Sequence, residues 1–444
     1  MKKILRKNLV IPQKNPIFMH PSDGSVLSYK LTLKALNMKR IAVAIGILIS
    51  AFICSCNKTD IPQNEPNDKA YEPITLTKVE NDMIEGINDF GFDIFHQQFE
   101  NGQDHLISPL SAAVALSMAA EGAAGATKDQ ILSTLGIKDK SEDAISTFYL
   151  KILEAILNTD NNVTLGLANS LWYDKGFSLS PAYITRMEDV FSATSHIEDF
   201  SNPSVALNTI NNWCAEQTDN KITRFLDEIS PDSRLILLNA LYYKGSWTDG
   251  FEKPAQGKFT HDDGSTSTEW MISDRRKVRY SETEDYKCIE IPYGNGSFAM
   301  DLILPLETDD ENPWASFTND KWTDLTTNFS EETLPIKFPC FKIEGKNDLT
   351  ETLSTLGIRN ALSPALADFS GMSDMNIYLQ KVKQAVYVNV DEKGTEAAGV
   401  TGNELLGALP GNENSLPKFI ADRPFMFMIR ETASGLILFV GYRS

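Results

Sequence analysis

The stretch DEKGTEAAGVT at residues 391–401 decides how the rest of this chain is read. It follows AVYVNV at residues 385–390, whose β-branched and aromatic residues predict a strand with a largely buried face. It precedes GNELLGALPG at residues 402–411, a run of mostly small and apolar residues. A strand that leaves a sheet normally meets a tight turn, whereas this strand meets residues that could themselves form a strand.

On a two-residue period, the run after the strand has one uncharged face and one face that carries both of its acids. The uncharged face holds Thr395, Ala397, Gly399, Thr401, Asn403, Leu405 and Gly407. The other face holds Glu396, Ala398, Val400, Gly402, Glu404, Leu406 and Ala408. A segment that enters an existing sheet needs small, uncharged residues on its buried face, because a buried unpaired charge is costly. A surface loop or a short helix is the alternative, since Glu-Ala-Ala is common in helices.

Composition and charge restrict the class of protein. The chain has 444 residues, 42% of them hydrophobic, and can bury a large core in one domain or in two to three smaller ones. Its 41 basic and 60 acidic residues give a net charge of −19, which argues against a nucleic-acid partner. The five histidines lack metal-ligand spacing, and neither a phosphate-binding glycine loop nor a Gly-x-Ser-x-Gly motif occurs. The sequence therefore predicts no catalytic residues, no metal and no cofactor.

The first 75 residues predict export and attachment to a membrane. Met38-Lys39-Arg40 is a basic start, and the apolar run at residues 41–53 is too short to span a membrane. It ends in Cys54-Ser55-Cys56, which resembles the cleavage box of bacterial lipoproteins. Cys56 fits that box better, because the bulky Ile53 precedes Cys54. We assign residues 1–37 to an upstream extension or a wrongly assigned start, 38–55 to a lipoprotein signal peptide and 56–75 to a flexible tether. A plain secretory signal is the alternative.

The lipoprotein resemblance implies an exported protein that is anchored by lipid on Cys56 to the outer membrane or cell surface of a Gram-negative bacterium. Release into the extracellular medium is the alternative. The acids Asp60, Glu65 and Asp68 soon after the cysteine favour display on the outer surface. The other three cysteines, at 214, 288 and 340, are far apart and odd in number, so no disulfide framework is expected.

Helix signals open the globular part of the chain. Residues 79–99 have apolar residues at helical spacing and predict a first helix. Pro109 suits the first turn of a second helix that has Ser108 as its N-cap, and Thr127 is expected to cap a third.

Several strands are predicted further along. Residues 163–173 and 335–344 each predict one strand, and residues 289–305 predict a hairpin. Residues 235–247 are too continuously apolar for a strand with only one buried face, so we place them in the middle of a covered sheet. Asn239 is the polar exception in that run and must find hydrogen-bond partners.

The run EKGTEAAG at residues 392–399 resembles the hinge of the serpins, the protease-inhibitor family whose exposed loop inserts into its central sheet. Further serpin-like motifs follow the family's order along the chain: SPLS at 108–111, NALYYKGSW at 239–247, LGI at 356–358, ADFSGM at 367–372, DRPFMF at 422–427 and LFVG at 438–441. This collinear set covers residues 76–444, which we assign to a serpin domain.

The resemblance implies an α+β serpin fold with three β-sheets, about eight or nine helices and an exposed reactive-centre loop. It implies irreversible suicide-substrate inhibition, in which a serine protease cleaves the loop and is held as a covalent acyl complex while the freed strand inserts into the sheet. We expect the chain itself to be a monomer.

The resemblance also assigns residues to the inhibitory machinery. The hinge comprises Glu392, Gly394, Thr395, Glu396, Ala397, Ala398 and Gly399. The region that controls opening of the sheet comprises Ser108, Pro109, Ser111, Asn239, Trp247 and Gln384. The family's usual loop length, counted from Gly394, puts the reactive bond at Ala408-Leu409, and a small residue there suits an elastase-like protease.

Alternatives remain for the target and for the activity. A loop of slightly different length would present Leu405, Leu406 or Leu409 to a chymotrypsin-like or subtilisin-like protease, and a papain-like target is a further alternative. A non-inhibitory serpin that acts as a surface binding protein or chaperone would share the fold. The small Thr395 at the first inward position favours inhibition.

Two residues depart from the family's pattern. Gln384 stands where many serpins have a histidine, and it cannot titrate near neutral pH. Cys340 stands where some members have a lysine that pairs with the hinge Glu392. We expect both to change how readily the sheet opens.

The anchor can be tested by changing Cys56 to alanine. Because the lipid would be attached to this thiol, Cys56→Ala should move the protein from the membrane fraction to the soluble fraction, as measured by fractionation and immunoblotting. Cys54→Ala is the matched control and should leave the protein on membranes. Membrane retention of Cys56→Ala would contradict lipidation at that residue.

Overall fold

The computed structural model of the protein describes residues 70–306, 312–395 and 417–444. The predictions for residues 1–69, including Cys56, and for residues 396–416, including Ala408 and Leu409, lie outside the described residues.

The described residues form eight α-helices and one 3₁₀ helix, which agrees with the eight or nine helices expected. None of these helices is long and apolar enough to cross a membrane. The α-helices are α1 (Lys78–Gln98), α2 (Pro109–Gly122), α3 (Gly125–Thr134), α4 (Glu142–Asn158), α5 (Pro181–Phe191), α6 (Pro203–Gln217), α7 (Asn319–Thr327) and α8 (Thr350–Thr355), and the 3₁₀ helix is Pro313–Ser316.

The described part of the chain also contains fifteen strands. They are β1 (His105–Ile107), β2 (Val163–Asp174), β3 (Thr194–Glu198), β4 (Leu235–Ser246), β5 (Ala255–Thr260), β6 (Thr266–Glu282), β7 (Tyr286–Tyr293), β8 (Phe298–Pro305), β9 (Ser330–Pro339), β10 (Phe341–Asp348), β11 (Lys383–Asp391), β12 (Gly394–Thr395), β13 (Phe419–Ile420), β14 (Phe425–Glu431) and β15 (Ile437–Arg443).

The starts of the helices follow local chemistry only in part. The N-cap of α2 is Ser108, as predicted, and its hydroxyl accepts a hydrogen bond from the N–H of Ser111. The prediction for Thr127 is wrong, because α3 begins at Gly125 with Ala124 at its N-cap. The Thr127 hydroxyl instead accepts the backbone N–H of Asp368, 241 residues away.

Six strands form one sheet in the order β10-β11-β12-β4-β2-β3. The strand β4 lies inside it and is covered on both faces, as its continuous apolar sequence predicted. Leu241 and Tyr243 on one face belong to the main hydrophobic core, whereas Leu238 and Ala240 on the other face belong to a smaller core that includes residues of α6. This two-sided cover positions the functional site described below.

The other nine described strands form a second hydrogen-bonded network. Its long strand β6 pairs with β5 over its first residues, with β9 over most of its length and with β7 at its end. Two of the three expected sheets are therefore joined through β6 in this structure. The hairpin predicted over residues 289–305 is present as β7 and β8.

The single strand predicted over residues 335–344 is in fact two strands. The strand is interrupted at Cys340, where the chain passes from β9 in the nine-stranded network to β10 in the six-stranded sheet. The N–H of Cys340 donates to the carbonyl of Trp270 on β6, and the next residue, Phe341, already pairs with Val390 on β11. The prediction failed because one continuous apolar pattern serves two sheets.

The described end of the predicted tether contacts the domain. Tyr71 donates a hydrogen bond to the carboxylate of Glu431 at 2.8 Å and accepts one from the Thr432 hydroxyl at 3.1 Å. Burial raises the pKa of Tyr71 to about 12, so its phenol remains a hydrogen-bond donor at neutral pH.

A buried charge cluster joins β7, β8 and β14. The Arg430 guanidinium donates through Nε to Asp301 at 2.7 Å and also pairs with Glu290, and each of the three side chains is less than 8% exposed. Trp322 donates its indole N–H to the same Asp301 oxygen at 3.0 Å. Glu290 also accepts hydrogen bonds from Arg279 at 3.0 Å, whose side chain is 46% exposed. Arg430 is therefore shared by two buried carboxylates, and it is the charged partner of Asp301 within the described residues.

Replacing Arg430 with methionine tests this compensation. Arg430→Met should lower the free energy of unfolding by about 3–5 kcal/mol, because it leaves the buried Asp301 without its cation and Glu290 with only the half-exposed Arg279. The measurement is urea unfolding followed by circular dichroism. Lys321→Met is the control, since the Lys321–Asp285 pair has side chains that are 36% and 57% exposed and should contribute less than about 1 kcal/mol. Equal effects of the two substitutions would contradict this account.

Candidate functional site

The hinge forms a tight hairpin at the end of β11. The chain turns through Glu392 and Lys393, and Gly394 and Thr395 return antiparallel to β11, opposite Asp391 and Val390. The carboxylate of Asp391 accepts the N–H groups of Lys393 at 2.8 Å and Gly394 at 3.2 Å. This side chain therefore fixes the turn at which the chain reverses.

The returning strand β12 lies inside the six-stranded sheet, between β11 and β4. Gly394 pairs with Ser246 and Thr395 pairs with Gly245, antiparallel to β4 as well. Further along the sheet, β11 and β4 pair directly in parallel over two residue pairs, Val386 with Leu241 and Tyr387 with Tyr242. Gly394 and Thr395, the first two residues of the loop, thus lie in a slot between β11 and β4. Beyond Thr395 the slot is closed, because β11 and β4 pair directly with each other.

Thr395 is fully buried in this slot. Its hydroxyl lies 2.6 Å from the hydroxyl of Tyr293 on β7. Burial raises the pKa of Tyr293 well above its ordinary value, so the phenol keeps its proton and the two hydroxyls form a hydrogen bond. Sequence reasoning identified Thr395 but missed Tyr293, which lies 102 residues earlier and carries no local sign of this contact.

Gly394 is required by the close approach of β4. Its φ is +148°, and a Cβ added to it would lie 2.1 Å from the carbonyl oxygen of Gly245 and 2.7 Å from the Cα of Ser246. No side chain fits at these distances, so the hinge can enter the slot only with glycine at this position.

Trp247 holds the hinge from the end of β4. Its backbone N–H donates to the carbonyl of Lys393 and its indole N–H donates to the carbonyl of Asp391, both at 2.9 Å. Its ring stacks on Tyr293, with centroids 4.3 Å apart and planes 16° apart. Trp247 therefore contacts the hinge turn, and the Tyr293 ring stacked on it contacts the buried threonine.

Cys340 lies beside the acidic part of the hinge. Burial raises the pKa of its thiol to about 12, with the charges of Glu392 and Asp391 adding to the shift. Burial and the charge of Glu392 also raise the pKa of Asp391. Within the described ranges, no lysine or arginine pairs with Glu392. The thiol therefore contributes no positive charge to hold Glu392, unlike the lysine expected from the family's pattern.

A second group of predicted residues lies at the opposite end of the closed part. Gln384 on β11 accepts the N–H of Ser108 at 3.0 Å and donates to the Ser108 carbonyl at 2.8 Å. Gln384 and Ser108 are buried. Pro109 and Ser111 lie in the first turn of α2, directly after its N-cap residue Ser108. The amide of Gln384 thus fastens β11 to the start of α2 through two hydrogen bonds.

Asn239 is held by the neighbouring strand β2. Its amide NH₂ donates to Asn169 on β2, and Asn169 donates in turn to the carbonyl of Phe191 at 2.6 Å. Because this chain of donors fixes both amide orientations, the side-chain oxygen of Asn239 remains buried and has no hydrogen-bond partner in the described structure. The parallel register between β11 and β4, continued by two residues, places Asn239 opposite Gln384.

Helix α6 lies over the strands that would have to separate. Ala206, Ile210 and Cys214 of α6 belong to one buried cluster with Leu238 and Ala240 of β4 and with Ala385 and Tyr387 of β11.

The described residues include no group of three or more His, Cys, Asp or Glu side chains suited to a metal ion.

The residues predicted to control sheet opening thus lie in two places. Trp247 belongs with the hinge, whereas Ser108, Pro109, Ser111, Asn239 and Gln384 lie at the closed part of the sheet. Of the predicted hinge, the structure describes Glu392, Gly394 and Thr395, and residues 396–399 lie outside it.

Comparison with known proteins assigns this architecture. The family model for Serpin (serine protease inhibitor) matches residues 85–443. An uncharacterised serpin-like protein of Thermococcus kodakarensis is 28% identical over 422 residues, which cover 91% of this chain and 98% of the relative. Serpin-ZX of Arabidopsis thaliana is 32% identical over 361 residues, 76% of this chain and 90% of the relative.

The fold agrees with the same assignment. The thermophilic serpin tengpin, in its native state, superposes with a TM-score of 0.75 at 28% identity, over 84% of this chain and 97% of tengpin. The predicted α+β serpin fold is confirmed, and the chain belongs to the serpin family.

Proposed function

We propose that this serpin is an irreversible suicide-substrate inhibitor of serine proteases that acts by loop cleavage and strand insertion. The observation that carries the proposal is the position of Thr395, buried between β11 and β4 at the start of the slot. Insertion after cleavage would continue a strand that has already begun.

The strands that flank the slot already have the register that insertion requires. In an antiparallel pair of strands, the numbers of two facing residues have a constant sum. This sum is 785 for β12 with β11 and 640 for β12 with β4. If the loop continued in this register, Gly399 would face both Val386 and Leu241. Val386 and Leu241 are already paired with each other. The strands therefore need only to move apart, without sliding along one another.

Opening the sheet would break few hydrogen bonds but would disturb more of the side-chain packing. The two strands must separate by one further strand width, about 4.8 Å. This breaks two parallel residue pairs and disturbs the cluster under α6. Gln384 and Asn239 fasten the strands to α2 and to β2 respectively, so we infer that both resist early opening.

The same register gives each loop residue a face. Thr395 faces the main core, so Ala397, Gly399 and Thr401 would follow it on that face. All of them are small and uncharged, which avoids the cost of burying a charge.

Insertion would also satisfy an orphaned acceptor. In an inserted strand that continued this register, Thr401 would lie opposite Asn239 and Gln384, on the same face of the sheet. A threonine hydroxyl can donate one hydrogen bond, and the side-chain oxygen of Asn239 has no partner in the described structure. Pairing the two would remove a desolvation penalty of about 1–3 kcal/mol from the closed sheet.

The loop is long enough for an inserted strand to run beside β11 and β4 as far as their first residues, Lys383 and Leu235. From Thr395 to Ala408 an inserted strand would extend roughly 45 Å at about 3.3 Å per residue. Ordering each residue costs about 1–2 kcal/mol, and its two ladder hydrogen bonds return a similar amount. The net driving force would therefore come from apolar burial and from relief of the unsatisfied groups in the closed sheet.

We propose Ala408-Leu409 as the reactive bond and an elastase-like protease as the target, since a small residue before the bond suits a narrow specificity pocket. Anchorage by lipid on Cys56 would display this loop at a cell surface, with the protease as the covalent partner and the inhibitor itself a monomer. A surface binding or chaperone role without inhibition is the alternative, and the two experiments below separate it from inhibition.

The hinge is tested by placing a positive charge on its inward face. Thr395→Arg should convert the inhibitor into a substrate, because an unpaired guanidinium cannot stay buried against Tyr293, and residue 395 would leave the slot in which the strand has to begin. The measurement is the stoichiometry of inhibition, which should rise more than tenfold while the loop is still cleaved.

The matched control is Glu396→Arg, which introduces the same side chain one residue later on the opposite face. It should change the stoichiometry by less than about twofold. Unchanged trapping by Thr395→Arg, or an equal loss in both variants, would contradict insertion in this register.

The target is tested by mixing the protein with an elastase and analysing the products. A complex that survives boiling in detergent should form, because an acyl bond joins the two chains. After denaturation, which is needed because the peptide carries the buried strands β13, β14 and β15, mass spectrometry should find a fragment from Leu409 to Ser444, which is 444 − 408 = 36 residues. Elastase that has been inactivated at its serine is the control and should give no complex.

Cleaved inhibitor with fully active elastase would exclude this class of target. Peptides that begin after Leu405, Leu406 or Leu409, together with a stable complex of chymotrypsin or subtilisin, would move the reactive bond. Absence of any stable complex across these proteases would support the non-inhibitory alternative.

A further inference from the structure

A cleft of about 670 Å³ lies between β3 and α6, at the edge of the six-stranded sheet. β3 supplies Ser195, His196, Ile197 and Glu198 to its lining, and α6 supplies Trp213 and Glu216. This volume falls within the range of about 300–1,000 Å³ that is usual for sites that bind small molecules or side chains. The cleft is separate from the hinge residues.

Aromatic rings form two walls of the cleft. His196 stacks on Trp172 with centroids 4.1 Å apart and planes 13° apart. Trp213 stands steeply to both rings, at 77° to Trp172 and 66° to His196, with centroids about 6 Å away. Trp213 is only half-buried, so part of its indole is accessible from the cleft. Indole faces attract cations through their quadrupole.

The charged side chains that line the cleft are acidic. Glu198 ends β3 and Glu216 lies in the last turn of α6, and no lysine or arginine is among the described residues that line the cleft. Burial lowers the pKa of His196, so its ring is neutral at pH 7 and does not repel a cation. The buried Ser195 hydroxyl has no hydrogen-bond partner in the described structure.

The rim of the cleft is apolar and borders a sheet edge. Ile197 is 63% exposed and Val205 is 55% exposed. Val205 lies one helical turn before Thr209, a residue of α6 that lines the cleft, so these two share one face of the helix. The strand β3 is the last in its sheet, and terminal strands can accept an added extended segment.

We propose that this cleft binds a lysine or arginine side chain presented by an extended segment of a partner protein. The guanidinium or ammonium group would lie against the indole of Trp213 and between the carboxylates of Glu198 and Glu216. Apolar residues beside the basic residue would cover Ile197 and Val205. The proposal does not depend on protease inhibition, since none of these residues belongs to the hinge or to the sheet-opening group.

The experiment titrates the intact protein with two small probes. The protein is labelled with ¹⁵N-tryptophan, which gives six indole signals, and Trp213→Phe assigns one of them. Acetyl-arginine amide should shift the Trp213 signal in a saturable way. Acetyl-citrulline amide, which has nearly the same shape without the charge, should bind at least threefold more weakly. Equal binding of both probes, or no saturable shift, would overturn the proposal.

Substitutions locate the site and identify the kind of ligand. Glu216→Gln should weaken binding of the arginine probe at least threefold, whereas Glu188→Gln, at an exposed acid on α5, should not. An acetylated Val-Arg-Val amide should bind at least threefold more tightly than the single residue, because it also covers the apolar rim. Equal affinities of the peptide and the single residue would overturn the assignment to a protein segment, and full binding by Glu216→Gln would place the cation elsewhere.

Discussion

The pairing between β11 and β4 is the constraint on which the rest of this structure depends. These parallel strands are joined directly over only two residue pairs, and the beginning of the loop already lies between them at one end. Parallel pairs are slightly less stable per residue than antiparallel ones. The sheet therefore has a short parallel seam at the position where an antiparallel strand would fit on both sides.

The residues around this seam stabilise its closed state in different ways. Gln384 fastens β11 to the start of α2, and α6 covers the outer face across both strands. Asn239 keeps one buried acceptor without a partner. A closed sheet that retains an unsatisfied polar atom is less stable than one in which a new strand supplies the missing donor. If the sheet opens as we propose, the same few side chains would set both its stability and its readiness to open.

Local patterns in the sequence were sufficient for the parts of the fold that depend on local chemistry. The covered strand β4, the strand β11 and the Ser108 cap could be predicted because apolar runs and capping residues act within a few positions. Thr127 could not, because its hydroxyl is taken by Asp368 far along the chain. The break at Cys340 and the contact of Thr395 with Tyr293 also depend on which strands become neighbours. The hinge itself was identified by resemblance, and its turn chemistry at Asp391 became visible only in the structure.

The common register of β11, β12 and β4 has a further consequence for how the sheet could grow. The residues of β11 and β4 that face each other in the closed sheet would still face each other across an inserted strand. Partly inserted states would therefore differ only in how many loop residues have paired. Side chains alternate between the two faces, and each pair of residues advances the strand by about 6.6 Å. Growth of the sheet would therefore proceed in dipeptide increments, and a single residue with the wrong side chain would arrest it at a defined depth.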